Sequence, residues 1–309
     1  MAARSARAVT TEGVVVGTCS WTDKTLVEET GWYPKRSMSA EERLRYYASR
    51  FSIAEADGTY YYPPTREMTR AWANRTPDDF VMNVKAYSLL TGHPTKPASL
   101  WSDLRDALDP EVAEKRNLYA HHLDEDTLDE VWARFVDALE PLRRAHKLGA
   151  VLFQYPPWFT PKRANREELA RLRTRLGDRP ACVEFRAPGW LAPDDLERTL
   201  DLLRYLDVAL VVVDAPKASK LRTVVETTTD DLAVVRFHGR ADDTWSARTT
   251  TAAERFRYEY STRQLRAWVP KLQQLASEAK SVHALMNNCY RDFGVHNAAQ
   301  LKEMLEDAR

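Results

Sequence analysis

Eight short apolar runs, most of them separated by segments with helical spacing, constrain the fold of this chain most strongly. Each run has the length of a strand, and the segments between them place apolar residues at intervals of three and four. The runs lie at residues 14–19, 51–55, 80–85, 149–155, 182–187, 207–214, 232–238 and 282–288. This alternation predicts an α/β fold, a single (β/α)₈ TIM-type barrel. An open doubly wound sheet is the alternative, but the glycine-rich first turn that usually accompanies one is missing.

The domain organisation follows from the same pattern. We expect residues 1–12 to form a disordered N-terminal tail and residues 13–309 to form one barrel domain. The stretch at about 94–126, after the third strand, is polar and interrupted by prolines, so we interpret it as an insertion at the barrel rim. Long loops in compact domains are usually functional, and this one could act as a lid.

Three helix starts carry the pattern of a capping box, in which a Ser or Thr is followed three residues later by Glu or Gln. The pairs are Ser39 with Glu42, Thr127 with Glu130, and Ser261 with Gln264. Between the sixth and seventh strands, in contrast, no helix is predicted.

Composition restricts the partners. The 45 basic and 45 acidic residues cancel, which argues against a nucleic-acid partner because such a partner usually requires a basic excess. No run approaches the ~20 apolar residues of a membrane span. The three cysteines have no paired spacing, which is typical of a reducing cytoplasm. We expect a cytoplasmic monomer that binds a small molecule.

Common nucleotide and hydrolase motifs are missing from the sequence. The ten glycines include no G-x-G pair, and no G-K-[ST] occurs. H-E-x-x-H and G-x-S-x-G are missing as well. These absences exclude the usual Rossmann, P-loop, zinc-protease and serine-hydrolase fingerprints, and no cofactor is predicted.

Nearly every predicted strand ends in a polar or aromatic residue. In a (β/α)₈ barrel the active site lies at the carboxyl ends of the strands, so these residues are predicted to converge in one pocket. Side chains alternate along a strand, so Glu184 and Arg186 share a face, as do Arg236 and His238. The candidates are Trp21, Glu55, Tyr60, Lys85, Gln154, Glu184, Arg186, Asp214, Arg236, His238, Asn287 and Asn288.

Chemistry suggests a role for each candidate. Glu184, His238, Glu55 and Asp214 are the predicted catalytic residues, with Glu184 and His238 favoured for proton transfer. The others are predicted to bind substrate. Among these, three cations suit a phosphate or carboxylate and two aromatic rings suit the wall of a pocket, and the full set is Lys85, Arg186, Arg236, Trp21, Tyr60, Gln154, Asn287 and Asn288.

Two other uses of these residues stay open. Glu184, Asp214 and His238 are hard donors that suit a divalent metal. Against this use, Arg186 and Arg236 each lie two residues from a would-be ligand and would compete for the carboxylates. Lys85 could also act as a Schiff-base nucleophile, although an ion pair is the simpler state for it.

Eight motifs together resemble the family called domain of unknown function seventy-two. They are G-T-C-S-W at 17–21, E-A-D-G-T-Y-Y at 55–61, V-K-A-Y with L-L-T-G-H at 84–93, L-F-Q-Y-P-P at 152–157, V-E-F-R with P-G-W at 183–190, V-V-D-A-P at 212–216, R-F-H-G-R at 236–240 and M-N-N at 286–288. The resemblance implies a TIM-type barrel in bacterial cytoplasm and no established activity. Asp57 and Met286 depart from the usual motifs, which have Asn and Phe there.

The leading hypothesis is an enzyme that acts by acid–base chemistry on a small polar, anionic metabolite, phosphorylated or carboxylated. The first alternative is a divalent-metal isomerase or phosphodiesterase-like enzyme, with nucleic acid ends among its conceivable substrates. The second alternative is a non-catalytic protein that binds a small ligand in the same pocket.

Overall fold

Eight parallel strands form a closed barrel in chain order in the computed structural model, which describes residues 12–246 and 252–308. The strands are β1 (Val14–Thr18), β2 (Ile53–Ala56), β3 (Val81–Lys85), β4 (Leu148–Tyr155), β5 (Ala181–Phe185), β6 (Ala209–Asp214), β7 (Leu232–Phe237) and β8 (Ser281–Met286). The predicted (β/α)₈ barrel is therefore confirmed. Residues 1–11 of the predicted tail lie outside the described residues.

Helices connect most of the strands. The described α-helices are α1 (Lys24–Glu29), α2 (Ala40–Ala48), α3 (Arg66–Arg75), α4 (Ser102–Asp106), α5 (Pro110–Ala113), α6 (Glu125–Ala138), α7 (Glu140–Arg144), α8 (Arg163–Leu176), α9 (Pro193–Tyr205), α10 (Asp242–Ser246), α11 (Ala252–Arg255), α12 (Thr262–Arg266), α13 (Val269–Glu278) and α14 (Phe293–Glu306). Between β6 and β7 the structure has only a 3₁₀ turn, Lys217–Ser219, as the sequence predicts.

The chain divides into two compact units. The first contains Met1–Glu55 and Pro188–Arg309, and the second is Ala56–Ala187. The single-domain organisation stays a prediction.

In the first unit β8 pairs with both β1 and β7, and Arg236 of β7 lies opposite Leu285 of β8. In the second unit β4 pairs with both β3 and β5, and Gln154 lies opposite Glu184. These registers bring the polar ends of neighbouring strands together within each unit.

The segment after β3 is an insertion with structure of its own. Short 3₁₀ turns at Ser88–Thr91 and Ala120–His122 flank α4 and α5, and an isolated bridge joins Thr95 to Leu118. The insertion is therefore a series of short helices, and the bridge between Thr95 and Leu118 holds its two ends together.

Local sequence accounts for most helix starts. The capping boxes predicted at Ser39 and Ser261 are both present. The box predicted at Thr127 is wrong, because α6 begins at Glu125 and its cap is Asp124, three residues before Thr127. The Asp124 carboxylate accepts a hydrogen bond from the Thr127 backbone N–H at 2.6 Å. Thr127, the predicted cap, therefore lies within the first turn of α6.

Among residues 12–246 and 252–308, none of the helices is long and apolar enough to span a lipid bilayer.

Candidate functional site

The first polar cluster lies in the first unit at the ends of β2, β7 and β8. We call Glu55, Arg236, His238 and Asn287 the β7 cluster. Arg236 Nη2 donates to Glu55 Oε1 at 2.6 Å and to Asn287 Oδ1 at 3.4 Å. The ion pair is removed from water, with side-chain exposures of 1% for Arg236 and 0% for Glu55. A charge buried this deeply is tolerated because its partner is fixed beside it.

Asn287 selects the tautomer of the neutral His238 ring. Because a guanidinium only donates, the Asn287 oxygen faces Arg236 and its amide nitrogen faces the histidine. That nitrogen lies 2.7 Å from His238 Nδ1. Nδ1 therefore accepts, and in the neutral ring the proton resides on Nε2. The ring packs beside Trp245 and Phe256, with centroid distances of 6.2 and 5.7 Å, and those two rings also contact each other.

One oxygen of Glu55 has no hydrogen-bond partner in the described part of the chain. Oε1 holds Arg236, but Oε2 has no hydrogen bond to any described residue, although it is buried. A buried carboxylate oxygen without a donor is uncommon in folded proteins and calls for an explanation.

Asp214, at the end of β6, is surrounded by donors. Its carboxylate accepts two hydrogen bonds from Arg240, at 2.8 and 2.5 Å, one from Trp268 Nε1 at 2.6 Å and one from the Tyr260 hydroxyl at 3.2 Å. The hydrogen bond to Asp214 raises the pKa of Arg240 above its ordinary value. These contacts suit a residue that positions Arg240, and a proton-transfer role for Asp214 stays a prediction.

The backbone conformation of Gly239 allows the turn that connects His238 to Arg240. It adopts a φ of +84°, and a Cβ there would lie 2.6 Å from Tyr258 Cβ. Only glycine accepts both conditions without strain. Its N–H donates to the Tyr260 hydroxyl at 2.9 Å, so the turn after His238 is fixed to the residue that also contacts Asp214.

The second polar cluster lies in the second unit. We call Lys85, Gln154, Glu184 and Arg186 the β5 cluster. Gln154 Nε2 donates to Glu184 Oε1 at 2.7 Å, and Arg186 Nε lies 2.7 Å from the same oxygen. Glu184 is fully buried, whereas 13% of the Arg186 side chain is exposed. The predicted common face of Glu184 and Arg186 agrees with this contact.

An aromatic edge adjoins Lys85. Its ammonium lies 4.7 Å from the centre of the Tyr60 ring, a cation–π contact. Tyr60 packs edge-on against His93, and His93 packs edge-on against Trp158. Burial, followed by the charges of Lys85 and Arg186, lowers the pKa of His93 from 6.5 to about 4. His93 is therefore neutral at physiological pH.

Two other predicted binding residues have contacts of their own. Trp21 is buried three residues after the end of β1, and its carbonyl accepts a hydrogen bond from the Tyr33 hydroxyl. Asn288 Nδ2 donates to the Tyr258 carbonyl at 2.8 Å and to Asn297 Oδ1 at 2.9 Å. The contacts of Asn288 hold α14 to the segment before α12, which suits a structural role, and substrate binding by either residue stays a prediction.

Sequence reasoning missed His93, Trp158 and the donors around Asp214. His93 lies in the T-G-H motif of residues 91–93, directly after a glycine with φ of +71°. The T-G-H motif is the sequence feature from which His93 could have been predicted. Arg240 also stands within a quoted motif, but Tyr260 and Trp268 approach Asp214 only through the fold.

Within the described ranges, no group of three or more His, Cys, Asp and Glu side chains is arranged to hold a metal ion. The conditional ligand set of Glu184, Asp214 and His238 thus has no geometric support. Individually, Glu184 lies against Arg186 and Asp214 against Arg240, so each carboxylate already has a cation beside it.

A closed eight-stranded parallel barrel with buried polar clusters at its strand ends defines a TIM-type barrel protein. The chain belongs to the family described as protein of unknown function DUF72, whose profile matches residues 15–309. It is 29% identical over 288 residues to the UPF0759 protein YunF of Bacillus subtilis strain 168, covering 90% of this chain and 93% of that protein.

Solved structures agree with this assignment. A DUF72 family protein of Thermotoga maritima MSB8, TM1631, superposes with a TM-score of 0.72 at 29% identity, covering 95% of this chain and 99% of that one. A DUF72 family protein of Enterococcus faecalis V583, EF0366, gives a TM-score of 0.75 at 24% identity, covering 95% of each chain. The second likeness concerns the fold alone. These names state no activity, so function must be inferred from the chain's own residues.

Proposed function

We propose that this protein is an enzyme that acts by acid–base chemistry on a small anionic metabolite, phosphorylated or carboxylated. The observation that carries the proposal is the pair of partly exposed cations in the β5 cluster, Lys85 and Arg186. Lys85 and Arg186 both act on His93, and Lys85 also lies over the Tyr60 ring. Two cations of different geometry beside an aromatic wall suit a phosphate or carboxylate group attached to a small organic body.

Glu184 is the proposed proton carrier of this cluster. Its carboxylate is fully buried and is oriented by Gln154 and Arg186, which both contact Oε1. A general acid or base must be held in position by neighbours that leave its chemistry intact. Gln154 and Arg186 supply that orientation.

The β7 cluster supplies two further candidates. His238 is proposed to donate through Nε2, because Asn287 occupies Nδ1. Glu55 is proposed to accept a hydrogen bond or proton at Oε2, the oxygen that has no hydrogen-bond partner among the described residues. The ion pair with Arg236 fixes the carboxylate while this second oxygen stays available.

Anion binding can be tested directly by thermal shift and calorimetry with inorganic phosphate and a panel of phosphorylated and carboxylated metabolites. The wild type is expected to bind at least one anion saturably. Lys85→Met is expected to weaken that binding at least tenfold, because it removes one of the two cations. Lys162→Met, an exposed lysine of the same unit, is the matched control and should bind like the wild type. Equal binding by Lys85→Met would overturn the proposed anion site.

Catalysis requires a second variant. With a binding metabolite in hand, Glu184→Gln should still bind it but lose turnover, since the amide cannot exchange the proton. The free energy of unfolding should stay within about 2 kcal/mol of wild type, because the amide oxygen can still accept from Gln154 and Arg186. Full turnover by this variant would remove Glu184 from the mechanism. Binding without turnover in the wild type would favour the non-catalytic alternative.

A further inference from the structure

A pocket lies in the Ala56–Ala187 unit, on the other side of β4 from the β5 cluster. Gln154 and Tyr155 are neighbours on the strand, so their side chains point to opposite faces. Gln154 contacts Glu184, whereas Tyr155 lines a pocket of about 500 Å³ bordered by α6 and α8. This volume is in the range of small-molecule sites.

The pocket wall is apolar and aromatic. Leu89, Leu123, Leu128, Trp132 and Phe159 contribute to it. Phe159 stacks on Tyr155, with ring centroids 3.9 Å apart and an interplanar angle of 15°. This wall suits a hydrophobic body of about the size of one ring.

The Tyr155 hydroxyl has no protein hydrogen-bond partner in the described part of the chain, although the residue is only 1% exposed. Burial raises the pKa of this phenol well above its ordinary value, so the hydroxyl keeps its proton and can donate. Leaving a buried hydroxyl unpaired costs free energy, and native structures seldom retain such a group without a use for it.

Charges of both signs lie beside this hydroxyl. Glu168 and Arg171 border the pocket and act electrostatically on the Tyr155 phenol. They lie three residues apart on α8, with Arg175 one turn further along the same face. Glu168 and Arg171 pair with each other at 2.8 Å and are both partly exposed, so a ligand can exchange with this contact.

We infer that this pocket binds a small zwitterion with an apolar or aromatic body, the class to which the hydrophobic amino acids belong. The apolar body contacts Leu128, Trp132 and Phe159. The carboxylate accepts from the Tyr155 hydroxyl and Arg171, and the ammonium lies against Glu168. A purely anionic ligand would place no positive charge against Glu168, and a purely cationic ligand would place no negative charge against Arg171.

Calorimetry with three related probes tests this assignment. L-Phenylalanine carries both charges, 3-phenylpropionate lacks the ammonium and 2-phenylethylamine lacks the carboxylate. The wild type is expected to bind phenylalanine saturably and each truncated probe at least tenfold more weakly. Equal affinity for a truncated probe, or no saturable binding of phenylalanine or leucine, would overturn the zwitterion assignment.

Two variants locate the binding. Tyr155→Phe should weaken phenylalanine binding at least tenfold while leaving the melting temperature unchanged or higher, because it deletes only the unpaired hydroxyl. Leu128→Trp should abolish binding by filling the pocket. Tyr205→Phe, at a tyrosine that is 87% exposed, is the control and should bind like the wild type. Wild-type affinity in both pocket variants would show that the ligand binds elsewhere.

Discussion

The β7 and β5 clusters use similar residues in opposite ways. In the β7 cluster one carboxylate faces one guanidinium, both fully buried, and an amide links the guanidinium to a histidine. In the β5 cluster one carboxylate is accompanied by two cations, and both cations are partly exposed. The ion pair of the first cluster is removed from water, whereas both cations of the second keep part of their surface in contact with it.

This difference has a physical cause. Removing a charge from water costs several kcal/mol, which a buried pair recovers only with good geometry and a matched partner. A cation that keeps some contact with water avoids most of that cost and stays available for binding. We therefore expect the β7 cluster to dominate stability and the β5 cluster to dominate ligand affinity.

The largest effect is expected from Arg236→Met. It leaves the buried Glu55 carboxylate without its partner and should lower the free energy of unfolding by about 3–5 kcal/mol. Arg186→Met removes the corresponding guanidinium of the β5 cluster, but Glu184 keeps Gln154, so the loss should be about 1–2 kcal/mol. Urea denaturation measures both.

The double variant Arg236→Met/Glu55→Gln sharpens this comparison. Because it removes both charges, it should recover part of the stability lost in Arg236→Met. Equal losses in the two single variants, or no recovery in the double variant, would show that the two ion pairs do not differ as described.

A smaller effect is expected from deleting the two amides. Asn287→Ala removes the buried link between Arg236 and His238 and should cost about 1–3 kcal/mol. Gln154→Ala removes a half-buried donor to Glu184 and should cost about 0.5–1.5 kcal/mol, since water can replace it. Thermal unfolding of the two variants shows which of them loses more stability. The reverse order would contradict the greater rigidity assigned to the β7 cluster.

The smallest effect concerns the pH dependence of His93. Its folded pKa of about 4 lies below the ordinary 6.5, so between these values the unfolded chain binds a proton that the folded chain does not. Stability should therefore fall as the pH drops through this window, by about 1 kcal/mol for this partly exposed ring. His93→Gln should remove this pH-dependent part of the free energy of unfolding.

Lys85→Met tests the cause of the shift. NMR titration should show the pKa of His93 rising in this variant, because one of the two cations that lower it is gone. His283 provides an internal control in the first unit. Burial alone lowers its pKa to about 4, so it should not respond. An unchanged His93 would mean that Lys85 contributes no field there.

The sequence by itself determined the barrel and most of its boundaries. Alternating strands and helices are local patterns, and so are the capping boxes at Ser39 and Ser261, which need only neighbours within one turn. The same logic placed Glu184 and Arg186 on one face of β5. The start of α6 shows its limit, because the Thr127–Glu130 pattern predicted the cap and the helix instead begins after Asp124.

Only the tertiary structure decided which polar groups are paired. Glu55 and Arg236 are 181 residues apart, and Asp214 and Trp268 are 54 apart, so no local pattern predicts their contacts. The same holds for the unpartnered hydroxyl of Tyr155, whose sequence context marks only the end of a strand. Burial and pairing depend on what the rest of the chain brings to a residue, and a sequence read without its fold does not contain that information.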